Sequence, residues 1–306
     1  VSSATGFTGL RTNTGQTQSS GIETAIHGTL VKNKSWSVIV GGNYAYLDNK
    51  VNYISTSLPR IPLATYGSTA GSYAVASQVF PVIMGYDYLR DPQGHVIVDA
   101  SSGLPTKSDT ISILGNATPK HKLGVDAAVR FKNFSFSILF EYRGGYQIYN
   151  AMGPELDWSG TGYRTAIYNR QRFVFPNSVY WDGAKYVPNT NIEIKNGNGN
   201  NGFWTDGINR DVSSNYVTSA DFWKLREFSI AYDVPSSFLG KTKVIKGLRI
   251  SAQGRNLFQW MAKDNYYTDP EYSDAGNDSN GIGLTGIGQT PPSRYYGATI
   301  SVKFSQ

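Results

Sequence analysis

The sequence predicts an all-β fold, a transmembrane antiparallel β-barrel, from three observations. The segment RYYGATISVKFSQ at 294–306 alternates strictly, with Tyr296, Ala298, Ile300, Val302 and Phe304 on one face and Tyr295, Gly297, Thr299, Ser301 and Lys303 on the other. A period-two strand that is apolar on one side and small or polar on the other suits a wall between lipid and a watery or plugged lumen. Composition is the second observation. Among 306 residues there are 33 Gly, 21 Tyr, 14 Phe and 6 Trp, only 16% are charged, and no apolar run is long. That excludes a transmembrane helix, whereas a barrel spreads its hydrophobicity over every second residue and keeps a low mean hydropathy, here −0.34. The third observation is a regular alternation of short and long connections.

The strands follow in order. A first pair covers 21–32 and 36–48, joined by Asn33 and Lys34; in its second member Trp36, Val38, Val40, Tyr44 and Tyr46 share a face opposite Ser37, Gly41, Asn43 and Ala45, with Ile39 as an exception. Aromatics at both ends of one face predict interfacial girdles. Next, His121, Leu123, Val125, Ala127, Val129 and Phe131 alternate with Lys122, Gly124, Asp126, Ala128, Arg130 and Lys132, and after Asn133 the chain returns through Phe134, Phe136, Ile138, Phe140 and Tyr142. The opposite face of that returning strand carries Ser135, Ser137, Glu141 and Arg143, which a strand buried on both sides could not. Lys122, Asp126, Arg130, Glu141 and Arg143 are therefore expected to face the lumen. A third pair runs through Phe228, Ile230, Tyr232 and Val234, then Leu248, Ile250 and Ala252, and the closing strand completes a set of seven.

Connections at Asn33, Asn133 and 235–247 are short, while 49–119, 150–220 and 261–293 are long and rich in Gly, Asn, Ser and Pro. Short periplasmic turns and long extracellular loops produce this rhythm in outer-membrane barrels. With a periplasmic C-terminus the closing strand runs inward, and so does the first. Two further segments, 74–88 and 163–175, are expected either to add strands or to form loop hairpins. An odd count of seven cannot close a single-chain bacterial barrel, and an open edge in lipid leaves backbone N–H and C=O groups unpaired at several kcal/mol each. The chain is therefore expected to be completed by other barrel polypeptide. Its opening Val1, without a Met or a leader pattern, fits a processed or partial chain.

The net charge of +6 raises nucleic acid as a partner, but Lys and Arg are scattered singly and form no cluster, so none is expected. The absence of Cys is compatible with an envelope protein that needs no disulfide.

Six ordered segments resemble the C-terminal half of SusC/RagA-type TonB-dependent transporters. They are SGIET at 20–24, GNATPKHKLGVDAAVRFKNFSFSILFEYRGG at 115–145, DFWKLREFSIAYDVP at 221–235, LRISAQGRNLF at 248–258, TDPEYS at 268–273 and PPSRYYGATISVKF at 291–304. The resemblance implies a barrel of about 22 strands with a plugged lumen, a SusD-like lipoprotein lid, and nutrient import driven through TonB. It also implies that residues 1–306 are one unit, the C-terminal part of that barrel in the bacterial outer membrane. The plug and its TonB-contacting segment have no counterpart in these residues. Tyr296, Ile300, Val302 and Phe304 would then be the C-terminal assembly signal.

No catalytic, cofactor or metal site is expected. His27, His95 and His121 lie on separate segments without ligand spacing. Asp264, Asp269, Glu271, Asp274 and Asp278 match no cation-loop pattern and read as a solvated loop, and the Gly-rich stretches at 196–202 and 281–288 do not join a strand to a helix. Aromatics in the long loops are the candidate contacts to substrate or partner: Tyr86, Tyr88, Tyr149, Trp158, Trp181, Tyr186, Trp204, Tyr266 and Tyr267. The alternative for each is packing of the loops on one another. The leading function is import of oligosaccharides or peptides. A passive porin or anchor barrel, or a secreted glycan-binding or glycan-cleaving β domain, are the other classes, the last requiring solubility without detergent.

Overall fold

The computed structural model describes the chain apart from residues 1, 2, 7–12, 14, 56, 57, 68, 196–200, 241–243, 273–279, 289, 291 and 306. Asp274, Asp278 and most of the 196–202 Gly-rich stretch therefore lie outside the described residues, as do Ser273 and Pro291 of the resembling segments.

Seven long strands form one sheet: β1 (Gly15–Lys32), β2 (Trp36–Ile54), β3 (His121–Phe131), β4 (Phe134–Gly144), β5 (Phe222–Asp233), β6 (Ile245–Met261) and β7 (Tyr295–Phe304). Each pairs antiparallel with the next in sequence, giving an up-and-down wall with β1 and β7 at its edges. These are the strands expected from the alternation, with β1, β2, β5 and β6 longer than the apolar pattern alone marked. Asparagines make the short turns. The Asn33 side chain accepts from the N–H groups of Ser35 and Trp36 at 2.9 and 2.8 Å. The β3–β4 turn places Lys132 at φ 50°, and the Asn133 amide donates to the Asp233 carbonyl at 2.7 Å, tying one turn to the next. Between β5 and β6 a four-residue helix, Ser236–Leu239, follows Pro235.

The register aligns aromatics into two rows on the outer face. At the turn end Trp36, Phe131, Phe134 and Tyr232 lie side by side, with Trp36 and Phe131 rings 4.2 Å apart and Phe134 and Tyr232 rings 4.7 Å apart. At the loop end Tyr44, Leu123, Tyr142, Trp223 and Trp260 are in register, the Tyr142 and Trp223 rings 5.1 Å apart. His121 sits beside this row, where its Nδ1 meets the Tyr44 hydroxyl at 2.8 Å. From Phe134 to Tyr142 is eight residues, about 26 Å along a strand and roughly 20 Å in height at a tilt near 40°. Between the rows the outer face is apolar and open: Ile26 is 72% and Val125 42% exposed. An apolar band flanked by aromatic girdles is what a lipid-facing wall requires.

Above the upper row the three long loops fold into one canopy. Residues 60–116 build a four-stranded sheet from Arg60–Tyr66, Ala70–Val75, Val82–Tyr88 and Lys107–Asn116. Pro62, on the edge strand, blunts that edge against further pairing. Gln147–Asn150 pairs with Val217–Ser219 and, in parallel, with Leu284–Thr285, while Val96–Ile97 pairs in parallel with Ser178–Trp181. Segment 74–88 thus belongs to a loop sheet, and 163–175 starts as a short helix, Tyr163–Ala166. The canopy core joins Ile83 of the first loop, Tyr149 and Tyr216 of the second and Leu284 of the third, all nearly solvent-free. Burying such side chains supplies roughly 1.5–3 kcal/mol each, which is what closes loops of this length.

Candidate functional site on the inner wall

On the inner face six ionised side chains converge where β4 and β5 meet the third loop. Lys224, only 2% exposed, donates from Nζ to Asp269 Oδ2 at 2.5 Å and to Glu271 Oε2 at 2.6 Å. Arg226 reaches Glu141 Oε2 at 2.5 Å through Nε and Glu271 through both terminal nitrogens, at 2.5 and 2.9 Å. Arg143 donates to Glu141 Oε1 at 2.6 Å and lies 3.0 Å from Glu271 Oε1. Three cations thus face three carboxylates, so the cluster is neutral as a whole, the condition under which charges tolerate burial. Beneath it the Phe222 ring lies 4.8 Å from Lys224 Nζ and under both guanidinium groups.

The backbone is shaped for this. Register shifts at Leu225/Glu227 interrupt the ladder of β5 with both β4 and β6. Opposite them Asn256 takes φ 52°, a left-handed conformation that Asn tolerates, and its side chain accepts from Arg226 at 3.3 Å. A bulge inserts one residue and re-aims a side chain, which is how Arg226 joins Lys224 on the inner face. Burial would push the Glu271 carboxyl up, but hydrogen bonds and charges from Arg226 and Lys224 outweigh it and hold the group down to about 2.

A second polar knot lies inside the canopy. Buried Asp157 accepts at Oδ2 from Arg164 at 2.8 Å, from the Tyr216 hydroxyl at 3.0 Å and from the Asn209 amide at 3.2 Å. Burial, reinforced by the Asp157 charge, pushes the Tyr216 phenol far up, so it stays a donor.

The lumen residues expected from the sequence divide in two. Glu141 and Arg143 enter the cluster. Asp126 lies 3.4 Å from His27, and Lys122 and Arg130 are exposed on the inner face. The loop aromatics divide as well. Trp158, Trp181, Tyr186 and Tyr266 are exposed; Trp181 and Tyr186 make an edge-on pair 5.1 Å apart on a hairpin, and Tyr266 leans on Tyr163 at 4.8 Å. Tyr88, Tyr149 and Trp204 are buried in canopy packing, where they meet protein rather than solvent. Tyr86 is half-buried under Lys107, and Tyr267 half-buried beside a cavity of about 400 Å³. The acidic loop is corrected too: Asp269 and Glu271 are not solvated but paired, and Asp264 caps the Ser219 N–H at 2.9 Å. Among the described residues no three acidic or imidazole groups converge as a metal cluster, and His95 pairs with Asp91 at 2.9 Å.

Sequence inspection missed Lys224 and Arg226. Continuing the alternation of Phe228, Ile230 and Tyr232 backwards puts both cations on the lipid face, and that contradiction was itself the signal of a bulge.

No family model matches the chain. Among curated proteins it is similar to the TonB-dependent receptor P3 of Formosa agariphila, 26% identical over 218 residues that cover 70% of this chain and 19% of that protein. TonB-dependent receptor P39 of the same organism is 27% identical over 202 residues, 64% of this chain and 17% of the relative. The chain therefore spans less than a fifth of the length of these relatives. Among solved structures it superposes on the RagAB peptide transporter with a TM-score of 0.64 at 18% identity, covering 99% of this chain and 31% of the other. For the open-open state of the RagAB peptide importer the TM-score is 0.66, again at 18% identity, with 99% of this chain and 30% of the other covered. In sequence and in fold, the chain is like part of a SusC/RagA-type TonB-dependent transporter barrel.

Proposed function

We propose that this chain supplies one wall and three extracellular loops of an active outer-membrane importer in a bacterium, taking up oligosaccharides or peptides. The importer works with a SusD-like surface lipoprotein and is energised by TonB through a plug outside these residues. The observation that carries the reading is a coincidence: one chain is similar in sequence to TonB-dependent receptors and superposes over 99% of its length on a peptide transporter. The apolar outer face between two aromatic rows and the polar inner face support a wall separating lipid from a lumen.

Residues 1–306 act together as one part of the barrel, completed by other barrel polypeptide along the β1 and β7 edges. Lys122, Asp126 and Arg130 line the lumen, and Trp158, Trp181, Tyr186 and Tyr266 are the loop aromatics available to substrate or lid. Tyr296, Ile300, Val302 and Phe304 present the outward face by which the barrel is recognised for assembly. The protein is not an enzyme in this reading.

Uptake of labelled oligosaccharide and peptide pools by cells with and without the transporter tests it. Uptake is expected to disappear on deletion, on loss of TonB, and on collapse of the proton-motive force. Uptake that survives loss of TonB would identify a passive pore and overturn the proposal. A lipoprotein recovered with the detergent-purified transporter is the expected partner, and its absence would remove the lid from the model.

A further inference from the structure

We propose that residues 268–272 form a strap, latched to the inner wall by Lys224 and Arg226, that partitions one chamber into two and opens as a unit when the latch is broken. The strap separates two cavities. One, of about 400 Å³, is lined by Thr268 and Asp269 together with Lys224, Asn256 and Gln259. The other, of about 290 Å³, is lined by Pro270, Glu271 and Tyr272 together with Lys122 and Arg143. The same five-residue segment therefore forms a wall of both.

The strap is joined to the barrel by charge rather than by a strand ladder. Its hydrogen bonds through main-chain N–H groups stay within the third loop, from Thr268 to Asn265 Oδ1 at 3.4 Å, from Glu271 to Asp269 Oδ1 at 3.0 Å and from Tyr272 to Asp269 O at 3.5 Å. The bonds that cross to the wall are those of Asp269 and Glu271 to Lys224 and Arg226, with Arg143 beside them. Such an attachment is two-state by nature. Dry, an ion pair is held by a strong Coulomb attraction in a low dielectric; once water enters, the same pair is worth a fraction of a kcal/mol. Partial opening gains nothing, because it hydrates some charges while stranding others, so the strap is either latched or free. Cavities on both sides bring solvent-sized space to within one side chain of the latch. The interrupted ladder at Leu225/Glu227 and the left-handed Asn256 are a departure from regular sheet whose effect is to turn Arg226 toward the strap. Release joins the two cavities and uncovers Lys224, Arg226 and Arg143 to the chamber. Lys224 and Arg226 are thus positioning residues for the strap. The inference concerns the strap alone and stands whether or not the barrel imports.

The test places Cys at Pro270, which is buried, in the full-length transporter purified in detergent, and follows its labelling by a maleimide. Lys224→Met and Glu271→Gln are expected to raise the labelling rate at least about tenfold, because each strands buried charge. Lys224→Arg, which keeps the cation, is expected to stay within about twofold of the parent. A remote pair broken by Arg249→Gln is expected to do nothing, which separates strap release from general loosening. Glu271→Gln nearly conserves volume and carries the test if Lys224→Met does not assemble. Labelling unchanged in a variant that keeps the folded barrel's mobility on an unheated gel overturns the latch. So does equal labelling in the Arg249→Gln control.

Discussion

Ile138 lies midway between the two aromatic rows on β4, four residues from Phe134 and four from Tyr142, with Ala127 and Phe228 beside it on the neighbouring strands. At about 3.3 Å per residue each row is some 13 Å away along the strand, so Ile138 is at the centre of the apolar band. An arginine introduced there must lie in hydrocarbon or bend some 10 Å to reach an interface, and the cost of a cation at the midplane of such a barrel is about 2–4 kcal/mol. At 1.4 kcal/mol per decade that is a fall of roughly 30- to 700-fold in the folding equilibrium constant. The same substitution one residue earlier has a different fate. Ser137 faces inward, its hydroxyl 2.7 Å from that of Ser229, so Ser137→Arg loses one hydrogen bond, about 1 kcal/mol, and keeps its charge in the lumen. At Phe134 and Tyr142 the cost of depth falls to about 0–1 kcal/mol. Urea titration of the full-length transporter in lipid vesicles, read by tryptophan fluorescence and protease resistance, measures the series. Equal costs at 137 and 138 would refute the assignment of faces. A profile that rises steadily toward either row, rather than peaking at 138, would refute the placement of the membrane.

Four further outcomes follow from the loops and the cluster. Lys224→Ala leaves two carboxylates without their buried cation and should destabilise residues 262–272 by about 3–5 kcal/mol, measured as faster limited proteolysis there with the barrel intact. The Glu271 carboxylate is held at about 2 against an ordinary 4.5. Its stabilisation is therefore complete above about 4.5 and is lost as pH falls toward 2, so hydrogen exchange of 268–272 should be flat from neutral pH down to 5 and, after correction for intrinsic rates, rise below it. Tyr216→Phe removes a donor from buried Asp157 and should cost the canopy about 1–3 kcal/mol, seen as a lower proteolysis midpoint for the second loop. Gly153 faces the Tyr216 ring with no room for a Cβ, and Gly153→Ala should cost a further 1–3 kcal/mol by overpacking, detected in the same assay.

The wall was legible because its rule is local. A strand with lipid on one face must alternate, and turns set by Asn33 and Asn133 are written in adjacent residues. Alternation misled at one place, Leu225 to Glu227, where a bulge shifts the parity and lets Lys224 and Arg226 face inward. The canopy was illegible for the opposite reason. Ile83, Tyr149, Tyr216 and Leu284 meet across some two hundred residues of sequence, and no periodicity marks side chains that pack from loops. That is also why Tyr149 and Trp204, read as contact candidates, are interior residues. Asp269 and Glu271 looked solvated because their cations lie on β5, nearly fifty positions earlier.

The two aromatic rows also act as a ruler. Their separation, roughly 20 Å in height by the tilt of such barrels, is well short of the ~30 Å hydrocarbon of an average bilayer and nearer that of the thinner bacterial outer membrane. In a thick bilayer the lipid must compress or the rings must submerge, at fractions of a kcal/mol for each ångström of mismatch. The rows therefore do more than mark the interface: they select the bilayer in which this wall is at rest.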